Sequence, residues 1–159
     1  MSSPDVIHVS AILDVDVGTA FEMFASADNI RKWLIDPFGG GAALVEPKVG
    51  GKFELFWNAD GGAREGTPGC QITALVPSRL IGFNWKGPTE VAVPMNRADP
   101  LTHVTVSFSP IGNGHKGRTA VNLIHSGWGS SSDFQAGRAY FEQAWTAAFR
   151  NLETVCKTR

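Results

Sequence analysis

From Asp133 to Val155 the chain carries its one long helical pattern, and that pattern closes an otherwise strand-rich sequence. Phe134, Phe141, Trp145, Ala148, Leu152 and Val155 recur at the three- and four-residue spacing of one buried helix face. The same stripe mixes these bulky groups with Gly137, Ala144 and Ala148, so part of the face is wide and part is nearly bare. Laid across a curved sheet, such a helix fills one end of the space and leaves a cavity at the other.

The strands before it are read from alternation. Val6 to Asp14 puts Ile7, Val9, Ala11 and Leu13 on one face and His8 and Ser10 on the other. Asp16 offers an N-cap for a short helix carrying Val17, Ala20, Phe21 and Phe24 inward, and Asp28 offers one for a second carrying Ile30, Trp33 and Leu34. Pro37 and the glycines 39 to 41 stop that helix. Strands are then expected over Ala42 to Glu46, Lys52 to Asn58, Thr67 to Val76, Leu80 to Trp85, Thr102 to Ser109 and Arg118 to Ser126. Turns at Gly61-Gly62 and at Gly112 to Gly117 separate some of them. Lys86 to Pro100, with three prolines and no period, reads as an irregular loop at the mouth of the fold. The expectation is an α+β domain over residues 1–159: about seven antiparallel strands, two short helices after the first, and the long helix covering the apolar side.

Composition narrows the partners. At 159 residues the chain has the length of one domain, and a formal charge of −1 gives no basic face for nucleic acid. The start, Met1 to Asp5, has neither a basic segment nor an apolar run, so no signal peptide is expected, and no apolar stretch approaches a membrane span. Cys70 and Cys156 read as free thiols of a reducing cytoplasm rather than as a disulfide scaffold.

Several segments, in this order, resemble the START-like (SRPBCC) superfamily with its helix-grip fold, and within it the domain related to the activator of heat-shock-protein-90 ATPase. Asp28-Asn-Ile-Arg-Lys-Trp33 is similar to that family's second short helix, and Val49-Gly-Gly-Lys-Phe53 to its paired-glycine turn into a strand. Val76-Pro-Ser-Arg-Leu80 with Phe83-Asn-Trp85, Arg118-Thr119 to Gly127, and Trp145 with Leu152 resemble its later elements. Gly82 and the long Lys86 to Pro100 connection depart from the pattern at the pocket rim. The resemblance implies an apolar cavity between sheet and helix; in relatives it serves lipid or hormone carriage or cyclase and hydrolase chemistry, while the eukaryotic activators bind a chaperone. Fold alone does not choose among these uses.

Chemical motifs are sparse. Residues 112–117 match a dinucleotide fingerprint, but a strand follows where a helix N-terminus is required, so a hairpin turn is expected. His8, His103, His115 and His125 are scattered without metal-ligand spacing, so no metal site and no cofactor are expected. His125 alone shares parity with Val121 and Leu123 and points inward, either as a polar anchor or general base or as a core histidine satisfied by a neighbour. Trp128 sits in a loop that reads as a gate or as a hydrophobic plug, and Arg138, Tyr140 and Glu142 read as solvated. No catalytic set is named. The expected ligand site comprises Trp33, Phe53, Trp57, Trp85, His125, Trp128, Phe141 and Trp145, holding a small apolar molecule. A chaperone partner or an enzyme using the same cavity are the alternatives, and a homodimer stays open.

Overall fold

The computed structural model describes residues 6–58, 64–88, 91–112 and 117–157. Strand β1 (Val6–Leu13) buries Ile7, Ala11 and Leu13 and pairs antiparallel with β8 (Arg118–Ser126), from Val6 opposite Ser126 to Leu13 opposite Thr119. β7 (His103–Ile111), β6 (Leu80–Asn84) and β5 (Ile72–Val76) extend this to a five-stranded antiparallel sheet in the order β1-β8-β7-β6-β5. β2 (Gly41–Val45), β3 (Phe53–Asn58) and β4 (Arg64–Gly66) form a second antiparallel sheet. A bridge between Lys52 and Gln71, and the bonds Phe53 N–H to Cys70 O (2.9 Å) and Ile72 N–H to Gly51 O (2.8 Å), join the two without closing a barrel.

Among the described residues there are eight strands where seven were expected: β4 (Arg64–Gly66) precedes every residue of the strand expected over Thr67 to Val76, and that strand begins only at Ile72. Pro68 offers no N–H to a ladder and Gly69 turns the backbone at φ 83°, so the segment from 67 to 71 is a turn between β4 and β5. The turns expected at Gly61-Gly62 and across 113–116, and with them His115, lie outside the described residues.

Helix α1 (Val17–Ala25) begins where Asp16 Oδ1 accepts the Thr19 N–H at 2.7 Å. The second helix, α2 (Ala27–Ile30), is capped by Ser26, whose Oγ accepts from Asn29 N–H; Asp28 lies inside its first turn instead. It continues into a π-helical turn, Arg31–Ile35, that buries Trp33, Leu34 and Ile35. Within the loop expected at Lys86 to Pro100, α3 (Ala92–Met95) forms a short helical stretch and buries Met95.

The closing helix α4 (Ser132–Lys157) lies along β1 and the π turn and buries Phe141, Trp145, Ala148, Phe149 and Leu152. Burial of each large apolar side chain contributes roughly 1.5–3 kcal/mol. At one end of the helix Phe24, Trp33, Phe108 and Phe149 close the core, with ring centroids 4.8 to 6.3 Å apart. Arg138 is not solvated as expected: its side chain is 12% exposed, donates to Val6 O at 3.2 Å and sits 3.6 Å from Glu142. The architecture is the α+β helix-grip arrangement, a curved antiparallel layer around a long C-terminal helix.

Candidate functional site

At the other end of α4 the aromatic packing opens into a half-open cavity of about 330 Å³. Alternation puts Trp57 on the inner face of β3, and Trp85 continues the inward parity of Ile81 and Phe83 just past β6. From the helix come Phe141 and Trp145 with Tyr140 and Ala144, and the π turn and its continuation supply Leu34 and Phe38. Trp85 is the hub. Its ring centroid lies 4.9 Å from that of Trp145, 6.0 Å from Phe141 and 6.4 Å from Trp57, at interplanar angles of 47°, 87° and 73°. The walls are therefore ring faces and edges set at steep angles to one another.

The rim is polar. Glu65 and Gly66 of β4 flank it, and Lys86, whose Nζ donates to Pro68 O at 2.6 Å, faces it with Gly87 and Pro88. Asn96 fastens this edge: its Oδ1 accepts the Gly87 N–H at 2.7 Å and its Nδ2 donates to Gly87 O at 2.8 Å. Glycine at 87 suits this approach, since a Cβ there would lie 2.7 Å from Val91 Cγ2, 2.9 Å from Met95 Sδ and 3.1 Å from Phe141 Cε2 and would require those side chains to shift.

Of the eight residues expected in the site, Trp57, Trp85, Phe141 and Trp145 line the cavity. Trp33 lies in the core at the opposite end of α4, and Phe53 stacks on Phe83 at 3.9 Å, both with no exposed surface. Trp128 is buried as a plug: its indole donates to His125 O at 3.2 Å and its ring packs 4.5 Å from the imidazole. Of the small residues on α4, Ala144 borders the cavity, whereas Gly137 is covered by Trp128. Leu34, Phe38 and Tyr140 were outside the expected set. Tyr140 was findable, because it precedes Ala144 by four residues on the same edge of the helix.

His125 sits behind the wall, fully buried. Trp145 Nε1–H donates to its Nδ1 at 3.1 Å, which leaves the proton of the neutral ring on Nε2, 3.0 Å from Thr102 Oγ1. Thr102 in turn donates to Trp85 O at 3.4 Å. Burial, with a smaller push from His103, lowers its pKa to about 3. A general base must reach its substrate through a nitrogen lone pair, and here that lone pair is held by Trp145. The neutral imidazole fixes the orientation of one cavity wall.

Cys70 is buried, and burial raises its thiol pKa to about 12, far from a reactive thiolate. Among the described residues no group of three or more His, Cys, Asp or Glu is placed to hold a metal ion, and no helix is long and apolar enough to cross a membrane.

The family model described as Activator of Hsp90 ATPase homolog 1-like protein matches residues 14–157. No curated protein matches the chain. Among solved structures, a protein from Arthrobacter aurescens superposes with a TM-score of 0.76 at 17% identity, covering 100% of this chain and 91% of that one. An HSP90 activator from Plasmodium falciparum gives 0.67 at 21% identity, with 95% of each chain covered. The Aha1 dimer from Colwellia psychrerythraea gives 0.66 at 16% identity, again over 95% of each chain.

Proposed function

We propose, for a chain that belongs to the Activator of Hsp90 ATPase homolog 1-like family, that its START-like domain binds a small, largely apolar molecule between sheet and C-terminal helix. The observation that carries this reading is the cavity of about 330 Å³ walled by Trp57, Trp85, Phe141 and Trp145. Folded domains seldom leave such a volume beside so many aromatic side chains without a use for it, and ligand sites are characteristically apolar hollows with a few polar groups. Binding works by excluding water around the ligand and orienting it with one or two hydrogen bonds, with no covalent step. Cys70 and Cys156, both buried and not joined in a disulfide, suit a reducing cytoplasm as the compartment.

Native mass spectrometry of freshly purified protein tests the reading. A recurrent small apolar mass should accompany the chain and be lost on Trp57→Ala with the fold retained. An empty protein that also gives no thermal shift across lipids, aromatic acids and polyketide fragments would refute it.

A second reading, a co-chaperone acting on heat-shock protein 90, rests on the family description and on the Plasmodium falciparum relative. It requires that the protein raise the ATPase rate of that chaperone. Under this reading Trp57→Ala leaves the stimulation intact while surface charge changes abolish it. The description of the Colwellia psychrerythraea protein as a dimer makes a homodimer part of the proposal, to be measured by light scattering.

A further inference from the structure

The residues that line the cavity fall along a gradient of exposure. Phe38 and Tyr140, 42% and 39% exposed, mark its mouth, and Trp57, Glu65 and Lys86 are half-buried. At the floor, Trp85 and Trp145 are each 2% exposed and Phe141 is 6% exposed. Polar groups follow the same gradient. Apart from the indoles, the polar side chains of the described lining are those of Glu65, Lys86 and Tyr140, all on exposed or half-buried residues. The indole N–H groups do not serve the hollow. Trp57 donates to Leu34 O at 3.0 Å and Trp145 to His125 Nδ1 at 3.1 Å, while Trp85 Nε1 is closed to the cavity as it is to water. His125 lies behind Trp145 with both nitrogens engaged. Among the described residues, the floor therefore offers a ligand ring and hydrocarbon surface and no side-chain hydrogen-bonding group.

Resting on the ligand-binding reading above, we infer that the ligand is a single-chain amphiphile that enters apolar end first and keeps its one polar group at the mouth. A hydroxyl, amide or carboxylate carried to the floor loses its water and meets no side chain that replaces it, at a cost far larger for a charge. A methyl end in the same place meets ring surface and gains by leaving water. At the mouth the polar group keeps its hydration beside Glu65 and Lys86, whose opposite charges favour neither an anion nor a cation. The floor also suits a flexible chain better than a flat ring system. Trp85 meets Trp145, Phe141 and Trp57 at 47°, 87° and 73°, so none of these pairs forms a parallel slot. Volume sets the length: about 330 Å³ holds on the order of ten carbon atoms, if a methylene takes roughly the ~30 Å³ share of a water. The hollow takes one medium-length chain, not the paired long chains of a membrane lipid.

The orientation is tested with n-octanol and the eight-carbon diol that carries a hydroxyl at each end. By isothermal titration the native protein should bind n-octanol about ten-fold more tightly than the diol, the effect of one hydroxyl buried without a partner. In the n-octanol complex, nuclear Overhauser contacts should join the terminal methyl to ring protons of Trp85, Trp145 or Phe141, and the carbinol protons to Phe38 or Tyr140. Neither measurement depends on a variant folding. Ala144→Met, which fills the hollow from the helix with a good helix former, should abolish n-octanol binding with the fold intact. Equal affinities for the two alcohols, or contacts in the reverse order, would overturn the orientation and leave the cavity reading standing. Binding that survives Ala144→Met would place the chain outside the cavity and overturn the inference. A protein that carries another small apolar mass and ignores n-octanol would overturn the amphiphile class alone. No binding of either alcohol, with an empty protein in the mass spectrum, would overturn both readings.

Discussion

Acidification from about pH 7 to about pH 5 should cost the protein about 2 kcal/mol through His125 alone. The unfolded chain takes up a proton at this histidine near the ordinary value of 6.5, and the folded protein holds it off until about 3. Between those values the unfolded state binds more protons. The contribution to stability is therefore complete above the unfolded value and is lost as the pH falls through it, with a slope approaching about 1.4 kcal/mol per pH unit. The control is His125→Gln, whose amide oxygen can accept from Trp145 and whose amide nitrogen can donate to Thr102, with nothing to titrate. Urea unfolding of both proteins at several pH values isolates the difference, because His103, whose pKa burial also lowers, is common to both. The native protein should lose about 2 kcal/mol more than the variant across that interval. Parallel curves would refute the reasoning, since they would mean that the folded imidazole takes up its proton as readily as the unfolded one.

Thr67→Val should lower the melting temperature by about 5 °C, because Thr67 Oγ1 accepts the Leu55 N–H at 2.9 Å and its loss strands a buried backbone donor. Calorimetry showing an unchanged midpoint would contradict that account. Asp16→Ala removes the cap of α1 and should destabilise the protein by about 1 kcal/mol, with Asp16→Ser recovering most of the loss in urea unfolding. Cys70 and Cys156 should resist iodoacetamide in the native protein near neutral pH and react on unfolding, as followed by intact mass. Rapid modification of the native protein would show an open path to these thiols.

What the sequence made legible was largely a matter of parity and period. Alternation assigned the buried faces of β1 and β8 without error, since a strand that buries one side has only two ways to place its side chains. The three- and four-residue spacing likewise located α4 to within two residues at its C-terminal end. β4 was less visible because three residues, Arg64, Glu65 and Gly66, are too few and too polar to show an alternation. The π turn at Arg31–Ile35 was invisible, because its residue types are those of an ordinary helix, and the bond its Leu34 carbonyl accepts from Trp57 Nε1 comes from a strand distant in sequence.

The candidate site was half legible for a reason that applies to cavities in general. Parity says which face a side chain takes and nothing about what stands opposite it. Trp33 and Trp57 both read as inward aromatics, yet Phe149 and Phe24 fill the space before one, while the other looks into a volume bounded by Ala144. The void is set by where α4 passes from Phe149 through Trp145 to Ala144, and so by the relative placement of elements distant in sequence. The same holds for polar atoms. Nothing in the sequence around Trp85 distinguishes its indole from the other four; only the folded chain shows that Met23, Leu34 and His125 supply acceptors for the rest and none for it. A buried donor left unpaired costs roughly 1–3 kcal/mol, and a Phe ring in place of the indole removes that cost. Trp85→Phe should therefore lose less stability than Trp145→Phe, whose indole donates to His125 Nδ1, and urea unfolding that ranks the two the other way would refute the reasoning.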